Sequence, residues 1–213
     1  IKQDDNSAGS FGIGKNAPFA YSALNLVFYN TLAKDGGRAF EGVARLVTTQ
    51  REYNGSMRKT QPIGKYLFLE DEYTGRPILP SDGCDLAKID IFNRSKIGTD
   101  VAVVGFKKNE YDDWEDKTAV AIIKNFILSI INGKIDVTIK SPNALYEIRK
   151  DTVEDLLYKT FADDVQLKYT RQIFETITKT QPRKVKIAEK DDLSIYVRYD
   201  DAYSQSLSRF RST

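Results

Sequence analysis

Two strand-like runs joined by a short polar turn constrain this chain most, because such runs pair as an antiparallel hairpin. The run LNLVFYNT (24–31) is rich in β-branched and aromatic residues, and AFEGVARLVT (39–48) alternates apolar with polar residues. The turn KDGG (34–37) lies between them and carries two glycines, which suit tight turns. The sequence therefore predicts an antiparallel sheet built on this hairpin.

Further strands and one long helix extend this pattern. The runs KYLFLE (65–70), TDVAVVGF (99–106) and KIDVTI (134–139) are typical of strands. The segment DDWEDKTAVAIIKNFILSIINGK (112–134) begins with acidic residues, ends at Gly133 and is typical of a helix. Its broad apolar face consists of Ile122, Ile123, Phe126, Ile127, Ile130 and Ile131. These elements predict an α+β fold, with an antiparallel or mixed sheet and helices on one face.

The pattern of elements changes near Ser141, where we predict a domain boundary. Beyond it, DTVEDLLYKTF and YTRQIFETITK are typical of helices, and RKVKIAEKDDLSIYVRYDD alternates like strands. We therefore predict a first domain of residues 1–140 and a small α/β segment of residues 141–213. So small a segment is marginal alone, so we expect it to pack on the first domain or to continue beyond Thr213.

The residue inventory excludes several kinds of catalysis. The chain has no histidine, and Cys84 is its single cysteine. Catalysis by Ser–His or Cys–His pairs, histidine-ligated zinc and a disulfide within the chain are therefore excluded. This cysteine usage fits a reducing cytoplasm.

Neither the net charge nor the hydropathy of the chain indicates binding to nucleic acid or to a membrane. Lys plus Arg number 32 against 30 Asp plus Glu, so the net charge of +2 gives no strong nucleic-acid signal. The longest apolar stretch, AVAIIKNFILSII, is interrupted by Lys124 and Asn125 and is shorter than the roughly 20 residues that cross a bilayer. We expect a cytoplasmic protein that uses this stretch as a buried helix.

The stretch GSFGIGKNAPF matches more than one phosphate-binding pattern. Gly9, Gly14 and Lys15 fit G-x-x-x-x-G-K of the P-loop, whereas Gly12, Gly14 and Ala17 fit G-x-G-x-x-A of dinucleotide sites. Both patterns require a buried apolar strand before the first glycine, and IKQDDNSA there is polar. The P-loop also needs a hydroxyl at the position of Asn16. Neither pattern fits its context, and a flexible structural loop remains a further alternative.

The glycines are predicted to open a helix. Asn16 is suited to cap it, and Pro18 stands in the early turn where a missing N–H does little harm. The apolar residues Phe19, Ala20, Ala23 and Leu24 then recur at helical spacing. Glycines before a helix allow backbone amides to approach phosphate oxygens, and Lys15 adds a positive charge.

Two motifs together resemble the GHKL ATPases, the superfamily of the ninety-kilodalton heat-shock chaperones, gyrase B subunits, MutL proteins and microrchidia ATPases. GSFGIGKNAPFA is similar to their second glycine motif, G-x-F-G-x-G, and KIGTDVAVVGF resembles their Gly-Thr pair opening an apolar strand. Bacterial GHKL-type proteins with SFGIGKNAPF resemble the chain most. The resemblance implies ATP binding by Gly9, Phe11, Gly12, Ile13, Gly14, Lys15, Gly98 and Thr99.

The resemblance also implies what surrounds these residues. The catalytic glutamate and the asparagine that holds Mg²⁺ lie in this superfamily on a helix well before the glycine motif, so the general base and the magnesium ligands are expected upstream of Ile1. The chain is then a fragment of an ATP hydrolase, and its last part resembles the start of the transducer domain. A homodimer or a protein partner is implied through these domains. Arg209, Arg211, Lys179 and Lys184 are alternative contacts to the γ-phosphate, although a solvated basic terminus is also expected.

A different class of function competes with nucleotide binding. Since no general base, no histidine and no strong net charge are found, a non-enzymatic module that binds another protein is the alternative. In that case the glycine loop is structural. The acidic pairs Asp112–Asp113 and Asp163–Asp164 are expected at helix ends and turns, and Trp114 is expected in the core. The sequence favours no biological process among DNA transactions, chaperoning and phage defence.

Overall fold

The computed structural model describes residues 14–71, 74–83, 93–107, 112–187 and 190–199, and the side chains of these except 186, 187 and 190–192. The helices are α1 (Ala17–Ala20), α2 (Trp114–Ile131), α3 (Val153–Asp155) and α4 (Lys168–Lys179). The strands are β1 (Ser22–Leu32), β2 (Arg38–Arg45), β3 (Gln50–Tyr53), β4 (Ser56–Lys59), β5 (Ile63–Tyr66), β6 (Phe68–Leu69), β7 (Gly75–Arg76), β8 (Gly98–Phe106), β9 (Val137–Lys140), β10 (Leu145–Ile148), β11 (Arg183–Ile187) and β12 (Lys190–Ile195). The α+β class expected from the sequence is confirmed.

The chain divides into two compact units after Glu110. Strand β9 and helix α2 therefore belong to the same unit as the elements that follow Ser141. The boundary predicted near Ser141 falls inside this second unit, in the turn between β9 and β10, where the Ser141 N–H donates to the Ala144 carbonyl at 2.9 Å. The two-domain assignment to residues 1–140 and 141–213 stays a prediction.

A four-stranded antiparallel sheet forms the first unit, in the order β5-β2-β1-β8. The predicted hairpin is confirmed, since Leu26–Leu32 of β1 pair with Arg38–Ala44 of β2. In the turn, the Ala33 N–H donates to the Gly37 carbonyl at 2.8 Å, and Gly36 has a φ of +84°. Glycine adopts this left-handed conformation without steric cost, which explains the KDGG sequence.

The two faces of this sheet are covered by different elements. Because side chains alternate along a strand, Val27 and Phe28 lie on opposite faces. Phe28 packs with Phe40, Ile78 and Ala102 in a small core on one face. Val27 is fully buried on the other face, which also carries α1. We call these the Phe28 face and the Val27 face.

The helix predicted after the glycines is much shorter than expected. Only Ala17–Ala20 are α-helical, and the chain already enters β1 at Ser22. The buried Ser22 hydroxyl donates to the Val104 carbonyl at 2.5 Å and accepts from the Leu26 N–H at 3.0 Å. These bonds fix a bulged start of β1, in which Asn25 has a φ of +50°. The helical assignment of Ala23 and Leu24 was therefore wrong.

Helix α2 is the centre of the second unit. Its buried residues Ala119, Val120, Ile123, Ile127 and Ile130 form a core with Ile139, Ile148, Val153, Leu156, Leu157, Phe161, Leu167 and Phe174. Gly133 ends the helix with a φ of +64°, as the sequence predicted. Phe126 is 48% exposed and has a non-helical φ of −122°, so its predicted core position is wrong. In the described part of the chain, no helix is long and apolar enough to span a membrane.

The elements predicted after Ser141 are present. Helix α3 continues into a π-helical turn, Leu156–Thr160, and α4 follows. Arg171 of α4 ties these together, since its Nε donates to the Leu157 carbonyl at 2.9 Å and its Nη2 donates to the Phe161 carbonyl. The Phe161 carbonyl also accepts from the Asp164 N–H at 3.1 Å, so Arg171 adds charged donors where the chain leaves the π-helical turn. Strands β11 and β12 pair as an antiparallel hairpin.

Tyr146 on β10 provides a pH-dependent contact with the start of α2. Its hydroxyl donates to Asp116 Oδ1 at 2.5 Å, and this hydrogen bond, with burial, raises the pKa of Tyr146 to about 12. The raised pKa favours the folded state up to the ordinary tyrosine range, and this contribution is lost as the pH rises through about 12. Asp116→Asn should move the pKa of Tyr146 back toward 10.0.

Site-resolved NMR titration of tyrosine rings measures this shift. Tyr158 is the internal control, because burial and Glu175 raise its pKa to about 12 without Asp116. Equal shifts at both tyrosines, or no shift at Tyr146, would contradict the assigned hydrogen bond.

Candidate functional site

The structure describes part of the predicted glycine site. Gly14 and Lys15 form a 3₁₀ turn with Asn16 directly before α1, and all three are exposed. A Cβ added to Gly14 would meet nothing within 4 Å. Gly9, Phe11, Gly12 and Ile13 lie outside the described residues, and so do Cys84, Arg209 and Arg211.

Arg45 at the end of β2 anchors this turn on the sheet. Its Nη2 donates a hydrogen bond to Asn16 Oδ1, and its guanidinium lies 4.6 Å from the centre of the Phe19 ring. Phe19 is buried. Asn16 occupies the N-cap position of α1, as predicted, but its side chain makes no capping hydrogen bond to the helix. It accepts from Arg45 instead and holds the glycine turn at this end of the sheet.

The predicted Gly-Thr pair opens β8, as the sequence indicated. Gly98 pairs with Leu32 and Thr99 pairs with Thr31. Gly98 has a φ of +137°, a conformation that L side chains rarely adopt, which favours glycine at this position. The hydroxyl oxygens of Thr99 and Thr31 are 3.0 Å apart, in hydrogen-bonding distance.

The glycine turn and Thr99 lie on the same face of the sheet but at different ends of it. Thr99, Val101 and Val103 alternate onto the Val27 face. Arg45 is two residues from Val43, the partner of Val27, and therefore also lies on this face, with the anchored turn. At ~3.4 Å per residue, Thr99 is ~14 Å along β8 from Val103. The structure thus does not bring Gly14 and Lys15 into contact with Thr99.

The Val27 face is partly exposed toward its Thr99 end, although Val27 itself is fully buried. Val101 is 47% exposed, Thr99 is also exposed, and Tyr29 and Thr31 are half-buried. The surface therefore offers apolar contacts in its middle and a pair of hydroxyls at one end.

A polar network on the Phe28 face was missed by sequence reasoning. Asp100 accepts from the Arg94 guanidinium and, at 3.3 Å, from the side-chain amide of Asn30. A shallow depression of about 310 Å³ lies against it, lined by Asn93, Arg94, Ser95, Lys96 and Asp100. Polar Asn30 and Asp100 inside apolar strand runs were a usable signal. Nothing local in the sequence indicated Arg94.

The remaining sequence candidates occupy structural positions. Asp113 forms an ion pair with Lys117 at 2.6 Å at the start of α2, which lowers the pKa of Asp113. Asp164 accepts from the Gln166 N–H at 2.8 Å in a turn. Trp114 packs against the core. These placements confirm the helix-end, turn and core roles expected for them.

Two of the basic residues considered for the γ-phosphate are described. Lys179 forms an ion pair with Glu175 at 3.5 Å, and Lys184 is an exposed residue of β11. Within the described ranges, no three acidic or cysteine side chains come together as a metal-binding group. No family model, curated protein or solved structure matches this chain.

Proposed function

We propose that this chain is the ATP-binding part of a GHKL-type ATPase, with a ribosomal S5-like transducer segment after the ATPase domain. The observation that carries the proposal is that the turn at the end of the glycine motif and Thr99 lie on one sheet face. The turn that contains Gly14 and Lys15 is anchored over the Val27 face, and Thr99 opens a strand on the same face. A cytoplasmic location and a partner or second copy contacted through these domains belong to the same proposal.

The phosphates of ATP bind the glycine segment in this proposal. Backbone N–H groups of Gly9–Gly14 approach the phosphate oxygens, and the Lys15 ammonium neutralises their charge. The five residues before Gly14, 9–13, span at most about 17 Å when extended, which exceeds the ~14 Å between the Val103 and Thr99 rows. The glycine segment and Thr99 are therefore able to contact opposite ends of one nucleotide.

The adenine binds at the other end of this face. Thr99 contacts the adenine edge, and Thr31 orients the Thr99 hydroxyl through their hydrogen bond. Val101 and Tyr29 supply the apolar surface beside the ring. Mg²⁺, held by residues upstream of Ile1, would neutralise phosphate charge when bound, and a glutamate there would activate water.

Binding of ATP by the full-length protein tests this proposal. Gly14→Val should weaken ATP binding at least about tenfold, or ~1.4 kcal/mol, because its side chain would occupy the space of a phosphate. Gly12→Val should act likewise. Since a Cβ at Gly14 meets nothing within 4 Å, the loss should occur without unfolding. Isothermal titration calorimetry measures the affinity, and circular dichroism checks the fold.

The two threonines provide a matched pair of variants. Thr99→Val should weaken ATP binding about tenfold, because it removes a hydrogen bond to the base, whereas Thr31→Val should cost only a small part of this. Unchanged affinity in both Gly14→Val and Thr99→Val would contradict the proposal. Partner binding that is independent of nucleotide would then favour the interaction module instead.

A further inference from the structure

The strands β3 and β4 form the outer end of a long two-stranded ribbon. The ribbon begins with the β2–β5 ladder, continues through the Leu46 N–H to Pro62 carbonyl bond of 2.7 Å, and is tied again between Thr49 and Thr60. At the tip, Asn54 and Gly55 have φ values of +51° and +72°. Such values define the tight turn that matches the twist of a hairpin. The ribbon therefore has a defined shape up to its tip.

The outer ribbon contributes no core. Every residue of β3 and β4 is exposed, including Met57 at 65% and Tyr53 at 53%. An isolated two-stranded hairpin is marginally stable in water, so this segment contributes little to the stability of the fold. Arg51, Arg58 and Lys59 against Glu52 give it a net charge of +2, equal to that of the whole chain. The outer ribbon thus carries a local positive charge although the chain as a whole is nearly balanced.

One face of the outer ribbon carries two arginines and a tyrosine. Arg51 and Arg58 are directly paired across the strands, and Tyr53 pairs with Ser56. The Arg58 guanidinium lies 5.3 Å from the centre of the Tyr53 ring. Like charges directly opposite each other repel and destabilise a hairpin. An anion bound to both arginines would offset this repulsion. This face is therefore complementary to a surface of closely spaced negative charges.

We propose that the outer ribbon, Gln50–Lys59, binds duplex DNA by entering the major groove. A groove about 12 Å wide admits a two-stranded β-ribbon, and every residue of β3 and β4 is exposed, as such an insertion requires. Arg51 and Arg58 bind phosphates, and guanidinium groups suit phosphate because they donate two parallel hydrogen bonds. Lys59 lies on the other face of the ribbon, beside Glu52 and Met57, and faces the opposite wall of the groove. This binding surface is separate from the proposed nucleotide face.

Salt-dependent binding of a short duplex DNA by the whole chain tests the proposal. The double variant Arg51→Ala/Arg58→Ala should bind about tenfold more weakly at low salt. It should also reduce the slope of log affinity against log salt by about 1.8, since each lost phosphate contact contributes about 0.9. Lys124→Ala/Lys134→Ala removes the same charge from exposed residues of the second unit and should change neither value. Fluorescence anisotropy provides both measurements.

Several outcomes would overturn the proposal. Wild-type chain that fails to bind duplex DNA at low salt would do so, and so would equal losses in the two double variants. Tighter binding of single-stranded DNA of the same charge would contradict insertion into a groove. Binding of poly-glutamate without binding of DNA would identify an acidic protein as the partner instead. Because both arginines are exposed, circular dichroism should show an unchanged fold.

Discussion

Replacing Ile123 with alanine should lower the free energy of unfolding of the second unit by about 3 kcal/mol. Ile123 is fully buried in α2, within the core that α2 forms with Leu157 and Leu167. Truncating a buried isoleucine removes its transfer free energy and leaves a cavity, and together these cost about 2–5 kcal/mol. Urea denaturation followed by the fluorescence of Trp114 measures the effect, because this is the single tryptophan and it begins α2.

Phe126→Ala provides the matched control in the same helix. The Phe126 side chain is larger but is 48% exposed, so we expect its loss to cost less than about 1 kcal/mol. A prediction from hydrophobicity and helical spacing alone ranks the two variants in the opposite order. Equal costs for both would show that α2 buries a different face from the one described.

The case of Phe126 shows why the sequence predicted α2 but not every core position. The helix was predicted from local signals, namely acidic residues at its start, apolar residues at helical spacing and Gly133 at its end. The width of the buried stripe decides which positions belong to the core, because Ala119, Ile123, Ile127 and Ile130 keep helical spacing on both sides of Phe126 whereas Phe126 itself is exposed. This width is not encoded in the residue pattern, because Phe126 fits the apolar face of a regular helix.

The prediction for the start of β1 was wrong for a related reason. Ala23 and Leu24 fit the spacing of a helix that continues from Phe19, and no local residue forbids it. What ends the helix is a contact between distant segments, since the buried Ser22 hydroxyl bonds to the Val104 carbonyl on β8. The hairpin of β1 and β2 was predicted correctly because its turn and both strands are contiguous in sequence.

The candidate sites also differ in whether their residues are close together in the sequence or only in the fold. The glycine motif and the Gly98–Thr99 pair are local, and the strand position predicted for Gly98 and Thr99 is confirmed. The Arg94–Asp100–Asn30 network depends on strand pairing between β1 and β8, which the sequence did not specify. The charged ribbon was missed for another reason: net charge averages over the chain, whereas Arg51 and Arg58 become neighbours only through the β3–β4 register.

Replacing Gly42 with alanine should destabilise the first unit by about 2–3 kcal/mol. Gly42 pairs with Phe28 across β1 and β2, and a Cβ there would lie 2.5 Å from the Phe28 ring and 3.0 Å from Tyr66 Cβ. The ring cannot move away freely, because it stacks on Phe40 at 5.5 Å and meets Tyr66 edge-on. Overpacking of this kind costs about 1–3 kcal/mol. Hydrogen exchange of the β1 amides measures the change in the first unit alone.

Gly64→Ala on the neighbouring strand should have the opposite sign. Gly64 pairs with Ala44, and a Cβ there would first meet Leu46 Cδ1 at 3.2 Å, the end of an exposed side chain that is free to shift. Alanine also restricts the unfolded chain more than glycine, which stabilises a protein by about 0.4–1 kcal/mol where the backbone permits it. Protection of the β1 amides should therefore fall in Gly42→Ala and stay equal or rise in Gly64→Ala. If both variants lost protection equally, the cost would belong to any side chain on this sheet face, and the packing of Phe28 over Gly42 would not explain it.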